Sequence, residues 1–207
     1  MNDYIYEQVQ IGKYTVKVMQ DDDPANPREE WDNLGKMVCF HRRYNLGDKH
    51  NFSDREELKE FLKKHKDILW LPLFLYDHSG LTINTRGCAC PWDSGQVGII
   101  YMEKAVYRKA FNKKRVNRKH VYEILRSEVS CYDDYLTGSV YGFVVEDEKG
   151  NQIDSCWGFF GDAKDCLSEG ITSAGYYVKQ DIKDHVEKVK TWIKNKVPLD
   201  KRYALEV

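Results

Sequence analysis

Three short segments constrain this chain most: CPWDSGQVG (Cys90 to Gly98), YDDYLTGSVYG (Tyr132 to Gly142) and DSCWGFFG (Asp154 to Gly161). Each crowds glycines, aromatics and a carboxylate into a few residues, which is costly for a backbone with no special path to follow. They are expected to converge on one surface. None carries a motif with a known reaction mechanism, and the remaining sequence holds no nucleotide loop, metal-ligand array or nucleophile elbow.

The pattern around them predicts an α+β fold: an antiparallel sheet built from hairpins with packed helices, as one domain over 1–207. Ile5 to Gln10 and Tyr14 to Met19 flank Gly12-Lys13 as a hairpin, and DDDPANPREEWDNLG reads as a long ordered loop with an exposed acidic tip. A strand is expected at Lys36 to Phe40, and a helix capped by Ser53 and Glu56 running to about His65. Leu69 to Tyr76, Leu81 to Asn84 and Gln96 to Met102 read as strands. A helix follows from about Asn117, stopped by Thr137-Gly138. Val140 to Glu146 and Gln152 to Phe159 form a second hairpin, and an amphipathic helix spans about 180–196, with Ile182, Val186, Val189 and Ile193 on its buried face.

With 207 residues, 42% hydrophobic and 31% charged, the chain has the make-up of a folded protein. Its start reads as no signal peptide, and the longest apolar run, Ile68 to Tyr76, is far short of the roughly 20 residues a membrane span needs. A cytoplasmic protein with no membrane association is expected, its six cysteines reduced. The net charge of −1 hides segregation. Glu103 to Arg126 carries nine Lys or Arg against two Glu, +7, and the other 183 residues carry 23 basic and 31 acidic groups, −8.

Each candidate chemistry has a plainer structural reading beside it. Cys39, His41, Cys88 and Cys90 could present four zinc ligands, but the spacing departs from the usual knuckle, so Cys39 as a core residue is favoured and no metal is assigned. Cys156 or Cys90 could be activated by His41, His78 or Asp93, against buried inert thiols. Asp21, Asp22 and Asp23 lack the rest of a calcium loop. Asp77 with His78 could exchange protons; a turn is favoured. Arg115, Lys119, Tyr122 and Arg126 are spaced to form one cationic stripe on a helix, able to contact phosphates and stack a base, although a solvated helix face predicts the same residues. Trp92, Asp93, Tyr135, Trp157 and Phe160 serve either as turn anchors and core aromatics or as the exposed anchors of a protein interface.

Taken together, DDDPANPREEWDNLGKMVCFHRRYNLGD, LYDHSGL, CPWDSGQVG, YDDYLTGSVYGFVVEDEKG and DSCWGFFG resemble a family of bacteriophage and mobile-element proteins of unassigned activity. The resemblance implies a bacterial host cell and no established reaction, so no catalytic residues carry over from it, and no cofactor is assigned. It leads to a non-catalytic protein-binding module that antagonises a host factor, such as a CRISPR or restriction complex. The alternatives are a nucleic-acid-binding accessory protein using the basic helix, and a hydrolase or nucleotide-processing enzyme centred on Cys90, Asp93, Asp154 or Cys156.

Overall fold

The computed structural model describes residues 5–78, 80–87 and 94–202. In chain order come β1 (Ile5–Ile11), β2 (Tyr14–Gln20), α1 (Pro27–Glu30), β3 (Lys36–Cys39), α2 (Arg55–Lys64), β4 (Ile68–Asp77) and β5 (Leu81–Asn84). There follow β6 (Ser94–Glu103), α3 (Lys104–Phe111), α4 (Arg118–Thr137), β7 (Val140–Glu146), β8 (Gln152–Phe160), α5 (Ala163–Lys196) and α6 (Leu199–Arg202). The fold is α+β with two four-stranded antiparallel sheets, and the chain gathers into two compact units, residues 1–21 with 141–207, and residues 22–140.

In the second unit the strand order is β3-β6-β4-β5. One face carries α4, whose Val121, Leu125, Val129 and Tyr132 meet Leu69, Leu73, Leu75, Ile100 and Met102 in a closed cluster. Each fully buried Leu or Ile there contributes about 1.5–3 kcal/mol relative to exposure. Opposite, α2 seals a smaller cluster of Val38, Leu58, Ile68, Ile99 and Tyr101. Pairing of Leu73 with Gly98 and Phe74 with Gln96 leaves Val97 as an extra residue, a bulge that turns Val97 to the α4 side with Ile100. The cap of α2 lies one residue later than expected: Asp54 accepts from the N–H groups of Glu56 and Glu57, while Glu57 accepts from the Ser53 N–H.

The DDDPANPREEWDNLG segment is held by a buried charge. Arg28 donates through Nε and Nη2 to the two oxygens of Asp48 (2.8 and 2.7 Å), through Nη1 to Glu128 (2.9 Å) and through Nη2 to the Gly35 carbonyl (2.8 Å). Glu128 also accepts from the Leu34 and Gly35 amides, and Asp48 from that of Met37. Burial works against the Arg28 charge, but the Asp48 and Glu128 carboxylates outweigh it and hold its pKa above the ordinary value. Asp22 and Asp23, the acidic tip of the loop, are exposed.

In the first unit the order is β1-β2-β7-β8. Ile11 pairs with Tyr14 across Gly12-Lys13, with Gly12 at φ 62°, so the expected hairpin is present with a two-residue turn. Tyr14, Val16 and Val18 of β2 and Phe143 and Val145 of β7 face Ala163, Cys166 and Ala174 of α5. A Cβ on Gly170 would stand 2.6 Å from Val16 Cγ1, so the absent side chain lets helix and sheet approach closely. On β8, Gly158 at φ 84° breaks the alternation; Trp157 lies over Gly142 while Phe159 packs on Phe143.

The helix expected over about 180–196 is the end of the 34-residue α5, and its apolar face is not buried: Ile182, Val186 and Val189 are exposed and Ile193 is only partly covered. The reason is length. Seven-residue strands reach about 23 Å, whereas 34 helical residues reach about 51 Å. Gly170 lies at Val16 and Val178 at Gly12, and the hairpin tip makes its polar contacts at Asp181, with the Tyr14 hydroxyl donating at 2.8 Å and Lys13 Nζ at 2.9 Å. Beyond that point the helix has outrun its sheet.

Candidate functional site

The residues expected to build one recognition patch divide between the units. Trp157 is exposed and Phe160 half-buried on β8, while Tyr135 lies on α4, stacked on Tyr132 with ring centroids 6.1 Å apart. Trp92 and Asp93 lie outside the described residues, as do Cys88 and Cys90. Asp154 is bound to α5 through the Ser173 hydroxyl and to its own strand through the Ser155 amide, which makes it an anchor.

The cationic stripe is interrupted. Its segment forms two helices, α3 and α4, and α4 begins at Arg118 with Asn117 as its cap, so Arg115 lies in the preceding turn. Lys119 lies 3.8 Å from Glu123, and Tyr122 packs against the core under α4.

Three of the described thiols are unsuited to nucleophilic attack. Cys39 and Cys166 are buried, and burial pushes each thiol up to about 12; burial likewise raises Cys131 to about 11. At neutral pH these three are protonated. Cys156 is exposed on β8. The Nδ1 of His41 accepts from the amides of Arg43 and Tyr44, both at 3.3 Å, and the ring stacks on Tyr44, so this histidine shapes the bend after β3. Asp77 is ion-paired with Arg43. Among the described residues no group of three His, Cys, Asp or Glu could hold a metal ion, and no helix is long and apolar enough to cross a membrane.

What the fold assembles instead is a pair of adjoining concavities on the α2 side of the second unit's sheet. The first, about 830 Å³, lies over the segment between β3 and α2 and is lined by Cys39, His41, Arg42, Lys49, His50 and Arg55 with Glu29 and Asp48. His50 Nε2 lies 3.0 Å from the Cys39 carbonyl, which can only accept, so Nε2 carries the proton. The other ring nitrogen, Nδ1, is buried with no hydrogen-bond partner. The second concavity, about 550 Å³, runs between α2 and β4 and shares Phe40 and Arg55 with the first. Its described lining holds Arg55, Lys59, Lys63, Lys66 and Trp70, and no carboxylate.

No family model matches this chain, and no significant match exists among curated proteins or solved structures.

The first unit carries a second surface of interest. On α5, Ile182 (59% exposed), Val186, Val189 and Trp192 (60% exposed) form an uncovered apolar stripe about three turns long. Sequence periodicity found the stripe but took it for a buried face. The concavities were missed because their lining comes from α2, β4, β6 and the β3–α2 connection, each unremarkable by itself.

Proposed function

We propose that this chain is a non-catalytic binding module that docks onto a protein partner through the C-terminal half of α5. The family resemblance suggests that the partner is a host factor, such as a defence complex, which the module antagonises. The observation that carries the reading is the bare stripe of Ile182, Val186, Val189 and Trp192 on a continuous helix. Contiguous exposed apolar surface of this kind is characteristic of interaction sites, and an amphipathic helix laid into a groove reads out residues three and four apart. The packed half of α5 supplies the helical nucleus, so the exposed half extends without a new nucleation cost. Over 179–196 six lysines stand against Asp181, Asp184 and Glu187, a net +3, which favours a groove with an acidic rim.

The test is purification of tagged protein from the bacterial host, followed by reconstitution with the purified candidate partner. A saturable complex is expected for the wild type and for Trp157→Ala, and none for Val186→Asp/Val189→Asp. If light scattering instead shows a wild-type dimer that the double variant converts to monomer, a second copy covers the stripe and the reading fails. It fails equally if the reconstituted complex survives the double variant.

A further inference from the structure

The groove between α2 and β4 has the two elements of a single-strand binding platform, a row of cations and an open aromatic face. Arg55, Lys59 and Lys63 follow one another at four-residue spacing on α2, so their charges climb the same side of the helix about 6 Å apart. Lys66 continues the row just past the helix end. Lys59 is paired with Glu56 at 2.6 Å, whereas Lys63 and Lys66 have no salt bridge among the described residues. Trp70 faces these cations from β4. Its neighbours Leu69 and Leu71 turn toward α4, leaving the indole, third in a ten-residue strand, on the opposite face and 43% exposed.

From this arrangement the geometry points to a binding site for single-stranded nucleic acid, with one base stacked on Trp70 and the flanking phosphates on Arg55, Lys59, Lys63 and Lys66. A groove of about 550 Å³ admits a splayed nucleotide but not a duplex, whose bases are already stacked on one another. An acidic peptide would satisfy the cations but leave the indole face without a ring to cover it. The adjoining hollow adds Arg42 and Lys49, set against Glu29 and against Asp48, whose carboxylate is already paired with Arg28. The site shares no residue with the cationic stretch at Lys119 and Arg126 or with the α5 stripe, and it stands or falls independently of the protein-docking reading.

The experiment measures fluorescence anisotropy of a labelled oligothymidylate against the full chain across a salt series, with duplex DNA and poly-glutamate as comparison ligands. With three or four phosphates engaged, log K is expected to fall with log salt at a slope of roughly −2 to −3, taking about 0.7 per phosphate for single strands. Trp70→Ala weakens binding roughly 5- to 150-fold, the range associated with loss of one base stack, and Trp70→Phe recovers part of that loss. Lys63→Gln/Lys66→Gln lowers the slope magnitude by about 1.4. Lys119→Gln/Arg126→Gln leaves both quantities unchanged. Thermal melting of every variant confirms that it is folded. The inference is overturned if the oligonucleotide does not bind at low salt, if Trp70→Ala binds as tightly as wild type while folded, or if duplex or poly-glutamate binds equally well.

Discussion

The two halves of α5 reverse what their sequences advertise. Residues 163–179, AKDCLSEGITSAGYYVK, carry two glycines, two serines and a threonine, yet Ala163, Cys166, Gly170 and Ala174 are buried against the sheet. Residues 180–196 have regular apolar spacing, yet Ile182 and Trp192 stand in solvent. Amphipathic spacing reports a capacity to be covered, whereas small residues in register report a surface already approached. The same inversion appears in the other unit, where the Arg28 guanidinium is enclosed while the Trp70 ring remains open.

The largest expected effect tests that inversion at its most polar point. Arg28→Ala leaves Asp48 and Glu128 facing each other without their shared cation, and about 3–5 kcal/mol of stability should be lost, measured by denaturant unfolding. A loss near zero would mean that the carboxylates find water or other donors. Next come the two glycines of α5, which share a helix but not an environment. Gly170→Ala should cost about 1–3 kcal/mol, because the new Cβ meets Val16 and Phe143. Gly175→Ala should stabilise by about 0.5–1 kcal/mol, because no atom lies within 4 Å of the added Cβ and the helix propensity improves. Equal effects at the two positions would erase the distinction between packed and open sides of this half.

Asp181 marks the boundary between the halves and supplies a pH test. Its hydrogen bonds from Lys13 and Tyr14 hold its carboxyl below the ordinary 3.8, so its contribution is present above that value and disappears as pH falls through the lowered native pKa. Asp181→Asn should therefore lower the melting temperature at pH 6 but not in strong acid, with the gap between variant and wild type closing as pH drops. The smallest effect belongs to the free half: Val189→Ser should change stability by no more than about 0.5 kcal/mol. A larger loss would show the stripe to be part of a core.

Much of the fold was legible because local rules were strong. The Gly12-Lys13 hairpin, the α4 stop at Gly138 and the β7–β8 hairpin follow from turn chemistry confined to a few residues. Gly138 takes φ 72°, as a helix C-cap with no Cβ readily does. The candidate site was far less legible. Asp154, chosen for its place beside Ser155 and Trp157, proved to be tied to Ser173, while Arg55 and Trp70 attracted no notice because one is an ordinary first-turn residue and the other sits in an apolar run. Their partnership depends on α2 lying across β4, which no spacing within either element encodes.

By itself the sequence determined the α+β class, most strand and helix positions and the existence of an apolar stripe on the last long helix, because alternation, capping and turn preferences act between neighbours in the chain. Tertiary structure alone decided which apolar faces are covered, that Arg28 is enclosed by two carboxylates, and that lysines of one element face a tryptophan of another. Those outcomes depend on where a sheet ends and on which surfaces meet across long stretches of chain, distances over which local preferences carry no information.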